Sequence, residues 1–173
     1  VCAASACEGL HRLAEERDAD LLVLGSCSRS LIGRVLLGDD ARASLNGAPC
    51  AVALAPRGYA GAPAALTRIG VGYDGSPEST LAVEAARDVA EGHDAQVEAR
   101  FVVHTPGLPP ATPGAWTDVA AEMLDQAQAE VQALPGVTGS AVLGLPNQEL
   151  VGMAHHVDLL VVGSRGYGPV RRM

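Results

Sequence analysis

The 173-residue sequence predicts an α/β fold: a parallel sheet with helices on both faces. One observation is the alternation of short apolar runs with Ala-rich amphipathic stretches along the chain. A second is composition. Hydrophobic residues make up 48% of the chain but aromatics only 3%, so the core must be Ala, Val and Leu, as suits a sheet beneath small-residue helices. The third is a repeat. Asp20-Leu21-Leu22-Val23-Leu24-Gly25-Ser26 returns as Asp158-Leu159-Leu160-Val161-Val162-Gly163-Ser164, and Leu10-x-x-Leu13-Ala14 before the first copy matches Leu150-x-x-Met153-Ala154 before the second. A period this long marks a duplicated domain, not a solenoid unit.

The elements follow in order. Ser5-x-x-Glu8 is a capping box opening a helix from Ser5 to about Arg17. Asp20–Leu24 is a continuous apolar run of the kind buried on both faces of a sheet. Gly25 to Gly38 is a loop, and Asp39 or Asp40 caps a helix ending at Asn46-Gly47, where glycine is the expected terminator. Ala51–Ala55 is a short strand. Pro56 to Pro63, rich in glycine and small residues, reads as a linker.

The pattern then begins afresh. Thr67–Tyr73 is a strand, Asp74-Gly75 turns, and Ser76-Pro77 supplies an N-cap with proline at the first helical position. The helix carries Leu81, Ala82, Ala85, Ala86 and Val89 and stops by Gly92. Val97, Ala99, Phe101 and Val103 alternate along a strand, and Pro106 to Gly114 is a loop. Trp116 to Val131 makes a long amphipathic helix. Val137–Leu143 is a weaker strand, Asn147–His155 a helix, and Asp158–Val162 the repeated strand. Residues 1–57 are thus expected to be the end of one unit, 58–66 a linker, and 67–173 the larger part of a second, with the chain beginning and ending mid-domain.

Composition excludes several functions. A net charge of −8 and a pI near 5.0 disfavour a broad electropositive face for nucleic acid or anionic membrane. No apolar run approaches the roughly 20 residues that cross a bilayer, and no charged-then-apolar leader opens the sequence. A cytoplasmic location is expected. Cys2, Cys7, Cys27 and Cys50 form no C-x-x-C pair and read as free thiols or small buried apolar residues.

Ligands of open α/β sheets sit at the carboxyl ends of strands. Two such ends stand out. In Val71-Gly72-Tyr73-Asp74-Gly75-Ser76, the Asp74 carboxylate can accept from a ribose hydroxyl or an adenine amine while Ser76 caps the helix. Asp74 can equally bond its own backbone in a turn. In Val162-Gly163-Ser164-Arg165-Gly166-Tyr167-Gly168, three glycines let the backbone approach a phosphate and Arg165 adds charge; a Gly-rich loop is also often a plain turn. His155 and His156 are adjacent, so on a helix they diverge by about 100° and cannot face one metal. His104 ends a strand near the Asp74 tip. No G-x-S-x-G elbow or Ser/His/Asp order is present.

Strand–Asp74-Gly75-Ser76 followed by Asp158-Leu159-Leu160-Val161-Val162-Gly163-Ser164-Arg165-Gly166 resembles the universal stress protein family over nearly the whole chain. Nucleotide-binding members carry Gly-x2-Gly-x9-Gly-[Ser/Thr] after the fourth strand. Gly163 and Gly166 match its first half, and its third glycine would fall beyond Met173. In the first unit Gly25 and Gly38 match, but Ser28 replaces the middle glycine and Asp39 the hydroxyl residue, which sets a like charge against a triphosphate. The resemblance therefore implies a degenerate first unit and an adenine-nucleotide site in the second, with Asp74, Gly75, Ser76, Val103, Gly163, Ser164, Arg165 and Gly166 around ATP and its Mg2+.

It further implies an adenine-nucleotide alpha-hydrolase-like, Rossmann-like five-stranded parallel sheet of order 3-2-1-4-5. Pairing with another such domain through a sheet edge, as a homodimer or tandem pair, goes with it, as does a role in stress response without catalysis. A nucleotide-independent interaction or dimerisation module of the same fold is the alternative. An adenylating enzyme would need a Ser-Gly-Gly-x-Asp-Ser loop after the first strand, which Asp74-Gly75-Ser76-Pro77 does not supply.

Overall fold

A computed structural model of the chain describes residues 5–25, 44–56, 65–104 and 115–164, the side chains of 115–117 excepted. The chain divides into two compact units between Ala64 and Ala65.

In the first unit, helix α1 (Ala6–Glu16) starts as its capping signal dictates, the Ser5 hydroxyl accepting the Glu8 N–H at 3.2 Å. Strands β1 (Leu21–Gly25) and β2 (Ala51–Ala55) pair in parallel, Leu21 opposite Ala51 through Gly25 opposite Ala55. Ser44 and Leu45 are helical, and Gly47 takes φ +74°, the left-handed turn expected of a terminating glycine. Burial of β1 on both faces is not met: Leu21 is 52% and Val23 61% exposed. An apolar run shows only that both faces can be covered, not that each finds a covering element.

The second unit holds the larger core. Its strands β3 (Arg68–Tyr73), β4 (Gln96–Val103), β5 (Thr138–Leu143) and β6 (Leu159–Val162) form a parallel sheet in the order β5-β4-β3-β6. Helices α2 (Pro77–Glu91), α3 (Ala115–Gln132) and α4 (Pro146–Ala154) connect them. The described strands thus lie in one sheet of two in the first unit and one of four in the second, the numbers of strands read from the sequence in each; no fifth strand is seen in either sheet among the described residues.

β3 is paired on both sides, and its period of two sorts it cleanly. Ile69 and Val71 are fully buried and Tyr73 nearly so, packed with Ala82, Val83, Ala86 and Ala90 of α2, Val97 and Ala99 of β4, and Val131 of α3. The opposite face carries Gly70 and Gly72. A Cβ on Gly70 would lie 2.9 Å from Met153 Cε, and one on Gly72 3.2 Å from Leu150. The two glycines therefore let α4 settle close on that face, and the helices cover both sides as the sequence predicts. The α3 stripe is buried only towards its end: Ala127 and Val131 are buried, while Val119 and Met123 are exposed.

The repeated Asp158 has a structural task. One of its oxygens, Oδ2, accepts from Thr67 N (2.8 Å), Thr67 Oγ1 (2.9 Å) and Arg68 N (2.9 Å), tying the start of β6 to the start of β3. These bonds, the Thr67 amide first, hold the carboxyl below its ordinary value. A depressed folded-state value stabilises above the unfolded value, and that contribution is lost as pH falls through the folded one. Asp158→Asn is expected to flatten the acid limb of a stability-versus-pH curve below about pH 4, with little change in its shape near neutrality; urea titrations at a series of pH values measure it. Met153→Ala, removing a side chain 2% exposed, should cost about 2–5 kcal/mol in the same assay.

Candidate functional site

Where β3 ends the chain must turn and start α2 within three residues. Gly75 makes this possible with φ +76°. A side chain there would be strained, and its Cβ would meet Glu130 Oε1 at 2.6 Å. Ser76 then caps α2: its hydroxyl accepts the Ser79 N–H at 3.1 Å, with Pro77 in the first turn. Asp74 Oδ1 accepts from Ser76 N at 3.1 Å and from Ser76 Oγ at 2.5 Å. The Asx-turn reading of Asp74 is therefore realised by one oxygen, while the residue also faces a cleft. Buried Ser79 locks the turn from beneath, its hydroxyl donating to Ser76 O at 2.9 Å and accepting from Asp74 N at 3.4 Å.

The cleft, about 580 Å³, lies at the carboxyl ends of β3, β4 and β6. Gly72, Asp74, Ser76 and Ser79 come from β3 and the start of α2, Arg100, Val102 and His104 from β4 and its end, Asn147 and Leu150 from α4, and Val162 and Gly163 from β6 and its end. Gly163 sits against the first turn of α2. A Cβ there would lie 2.8 Å from the Glu78 carbonyl carbon and oxygen and 3.0 Å from Ser79 N. That contact is backbone on backbone, so only glycine fits.

Of the residues proposed from sequence, Asp74, Ser76 and Gly163 line this cleft together. Gly75 shapes the turn without lining it, and Ser164 is exposed beside it. Val103 does not line it: its side chain is 5% exposed in the sheet core, and Val102, one position earlier on the other face, takes the cleft side. Arg165 and Gly166 lie outside the described residues, as do Ser28, Gly38 and Asp39 of the first unit. Sequence reasoning missed Ser79, Arg100, Asn147 and Leu150. The available signal was an arginine in the alternating strand Val97–Val103, on the face opposite its buried residues.

Tyr73 extends the site's support on the other side. Its hydroxyl donates to Glu130 Oε1 at 3.3 Å and its ring meets Phe101 edge-on at 5.9 Å. Burial, then the nearby Glu130 carboxylate, raises the phenol above its ordinary value, so it stays protonated at neutral pH. Among the described residues no group of three or more His, Cys, Asp or Glu is placed to hold a metal, and His155 and His156 are exposed.

The fold of this chain is matched elsewhere. The model of the Universal stress protein family matches residues 3–56 and 66–173. The chain belongs to the universal stress protein family. No curated protein matches it. Among solved structures, a universal stress protein from Archaeoglobus fulgidus DSM 4304 matches with a TM-score of 0.61 at 18% identity, covering 89% of this chain and 53% of that one. UspA from Lactobacillus plantarum matches at 24% identity over 64% of this chain and 86% of that chain, with a TM-score of 0.49. A universal stress protein in complex with cAMP matches at 25% identity, TM-score 0.40, over 57% of this chain and 77% of that one. This universal stress protein chain thus spans about half the length of the Archaeoglobus structure.

Two glycine substitutions separate close packing from helix propensity. Gly163→Ala should destabilise by roughly 1–3 kcal/mol, because the Glu78 backbone must move. Gly152→Ala in α4, where a Cβ meets nothing within 4 Å, should stabilise by about 0.5–1 kcal/mol. Chemical denaturation of both against the parent measures the contrast.

Proposed function

We propose that the second unit binds an adenine nucleotide, ATP among them, as a non-catalytic stress-response module. The observation carrying this is Gly163 packed on the first turn of α2, beside the Ser76 cap and Asp74, in one cleft at the strand ends. Backbone N–H groups at a helix start and in a glycine-bearing strand end are the groups that receive a phosphate in an acidic protein. Asp74 supplies the carboxylate suited to a ribose hydroxyl or a base amine. Mg2+ would accompany the nucleotide on its phosphates. The five-stranded arrangement of order 3-2-1-4-5 would require one more strand beside β6, at whose end Gly163 stands. A homologous domain, as tandem neighbour or second copy, is the expected protein partner, the first unit serving this role without nucleotide, and the cytoplasm the expected location.

Among the described residues of the cleft, the Ser76 hydroxyl is engaged in the turn, donating to Asp74 Oδ1 and accepting from Ser79 N. The alternative, a nucleotide-independent dimerisation module, is favoured by Ser28 and Asp39 for the first unit only.

Equilibrium dialysis with labelled ATP, ADP and cAMP tests the reading. Binding in the millimolar range or tighter is expected, weakened about tenfold or more by Asp74→Ala through loss of a charge-assisted hydrogen bond. Folded protein that takes up none of the three at millimolar concentration would reject nucleotide binding.

A further inference from the structure

Helix α3 meets the sheet through Leu124, Ala127, Gln128 and Val131, spaced i, i+3, i+4 and i+7 as a sheet-facing stripe requires. Three of the four are apolar. Gln128, half-buried, holds the place where a fourth apolar side chain is expected. What it does there is decided by β5, which ends the sheet order and has β4 as its one strand neighbour among the described residues. Successive residues of a paired strand direct their backbone groups to alternate sides. Gly144 N, just past β5, donates to Val103 O of β4 at 3.2 Å. The even-numbered residues of β5 therefore address β4, and Gly139 and Ala141 address the outer edge.

Gln128 meets both of these. Its Nε2 donates to Gly139 O at 3.3 Å, and its Oε1 accepts from Ala141 N at 2.7 Å. In a parallel ladder one residue of the next strand donates to the carbonyl of residue i−1 and accepts from the amide of residue i+1. The Gln128 amide does both about Ser140, so it stands in for one residue of a further strand. The helix comes close enough because Gly139 has no side chain: a Cβ there would run into the Val131 carbonyl.

We propose that Gln128 is an edge guard, closing β5 to an added strand from another copy of the chain. Unpaired N–H and C=O groups on an edge strand are a template for a second chain. Here an outward acceptor and an outward donor about the middle of the strand are already bonded. The guard is independent of nucleotide binding. It excludes β5 from the pairing of homologous domains through a sheet edge.

The test is the mass of the full chain by light scattering across a concentration series, with circular dichroism to confirm folding. Gln128→Ala is expected to exceed the wild-type mass by about twofold or more as concentration rises, because the edge is opened. Adding Ala141→Pro to that variant should restore the wild-type mass, since proline removes the outward N–H without touching the bonds to β4. Folded Gln128→Ala with the wild-type mass throughout would overturn the proposal. So would a heavier variant that the proline leaves unchanged, because association would then come from loosened packing and not from the edge. If the alanine variant does not fold, Gln128→Met, which keeps the length of the side chain but neither bond, takes its place. If the proline is not tolerated, Gln128→Lys, which loses the amide but sets a charge at the edge, should keep the wild-type mass; a mass as high as that of Gln128→Ala would refute the guard.

Discussion

Strand β3 has to bury two unlike faces at once, and the second unit is arranged around how it does so. One face presents Ile69, Val71 and Tyr73 to α2 and α3. The other presents the bare backbone of Gly70 and Gly72 to α4. A large residue at either glycine would lift α4 off the sheet, and with it Asn147 and Leu150, which line the cleft. The floor of the cleft is therefore a consequence of packing. The absence of side chains on one side of a central strand brings a helix near, and the space beyond the strand's end is what that helix cannot fill.

The same economy governs the turn after β3. Asp74, Ser76 and Ser79 bond mainly to one another and to backbone, so the loop is held before any ligand arrives. Glu130 closes the remaining side, bonded to Tyr73 and filling the space a Gly75 side chain would need. A preorganised helix start with glycine backbone beside it is suited to holding an anion without rearrangement.

Arg100, on the cleft side of β4, has a buried Nε without a hydrogen-bond partner among the described residues. The polar residues of the turn, Asp74, Ser76 and Ser79, have partners inside the protein. Family membership sets the fold and the place of the cleft, but it says nothing of why a cation should stand there.

Much of this protein was legible before any coordinates. Ser5 and Ser76 as caps and Gly47 and Gly75 in left-handed turns follow from local rules that act within a few residues. Asp74, Ser76 and Gly163 were found as strand-end residues for the same reason: turn chemistry and strand ends are written locally. What the sequence could not decide was which face of a strand meets which neighbour. Val103 and Val102 are chemically alike, and only the placement of α2 and α3 against one side of β4 sends the first into the core and the second to the cleft. The apolar run of β1 likewise did not reveal that Leu21 and Val23 stay exposed. Likewise only the register sets Arg100 opposite Gly72, because strand pairing joins residues distant along the chain. Local chemistry determined the elements and their ends; long-range packing alone decided their faces, and the faces make the site.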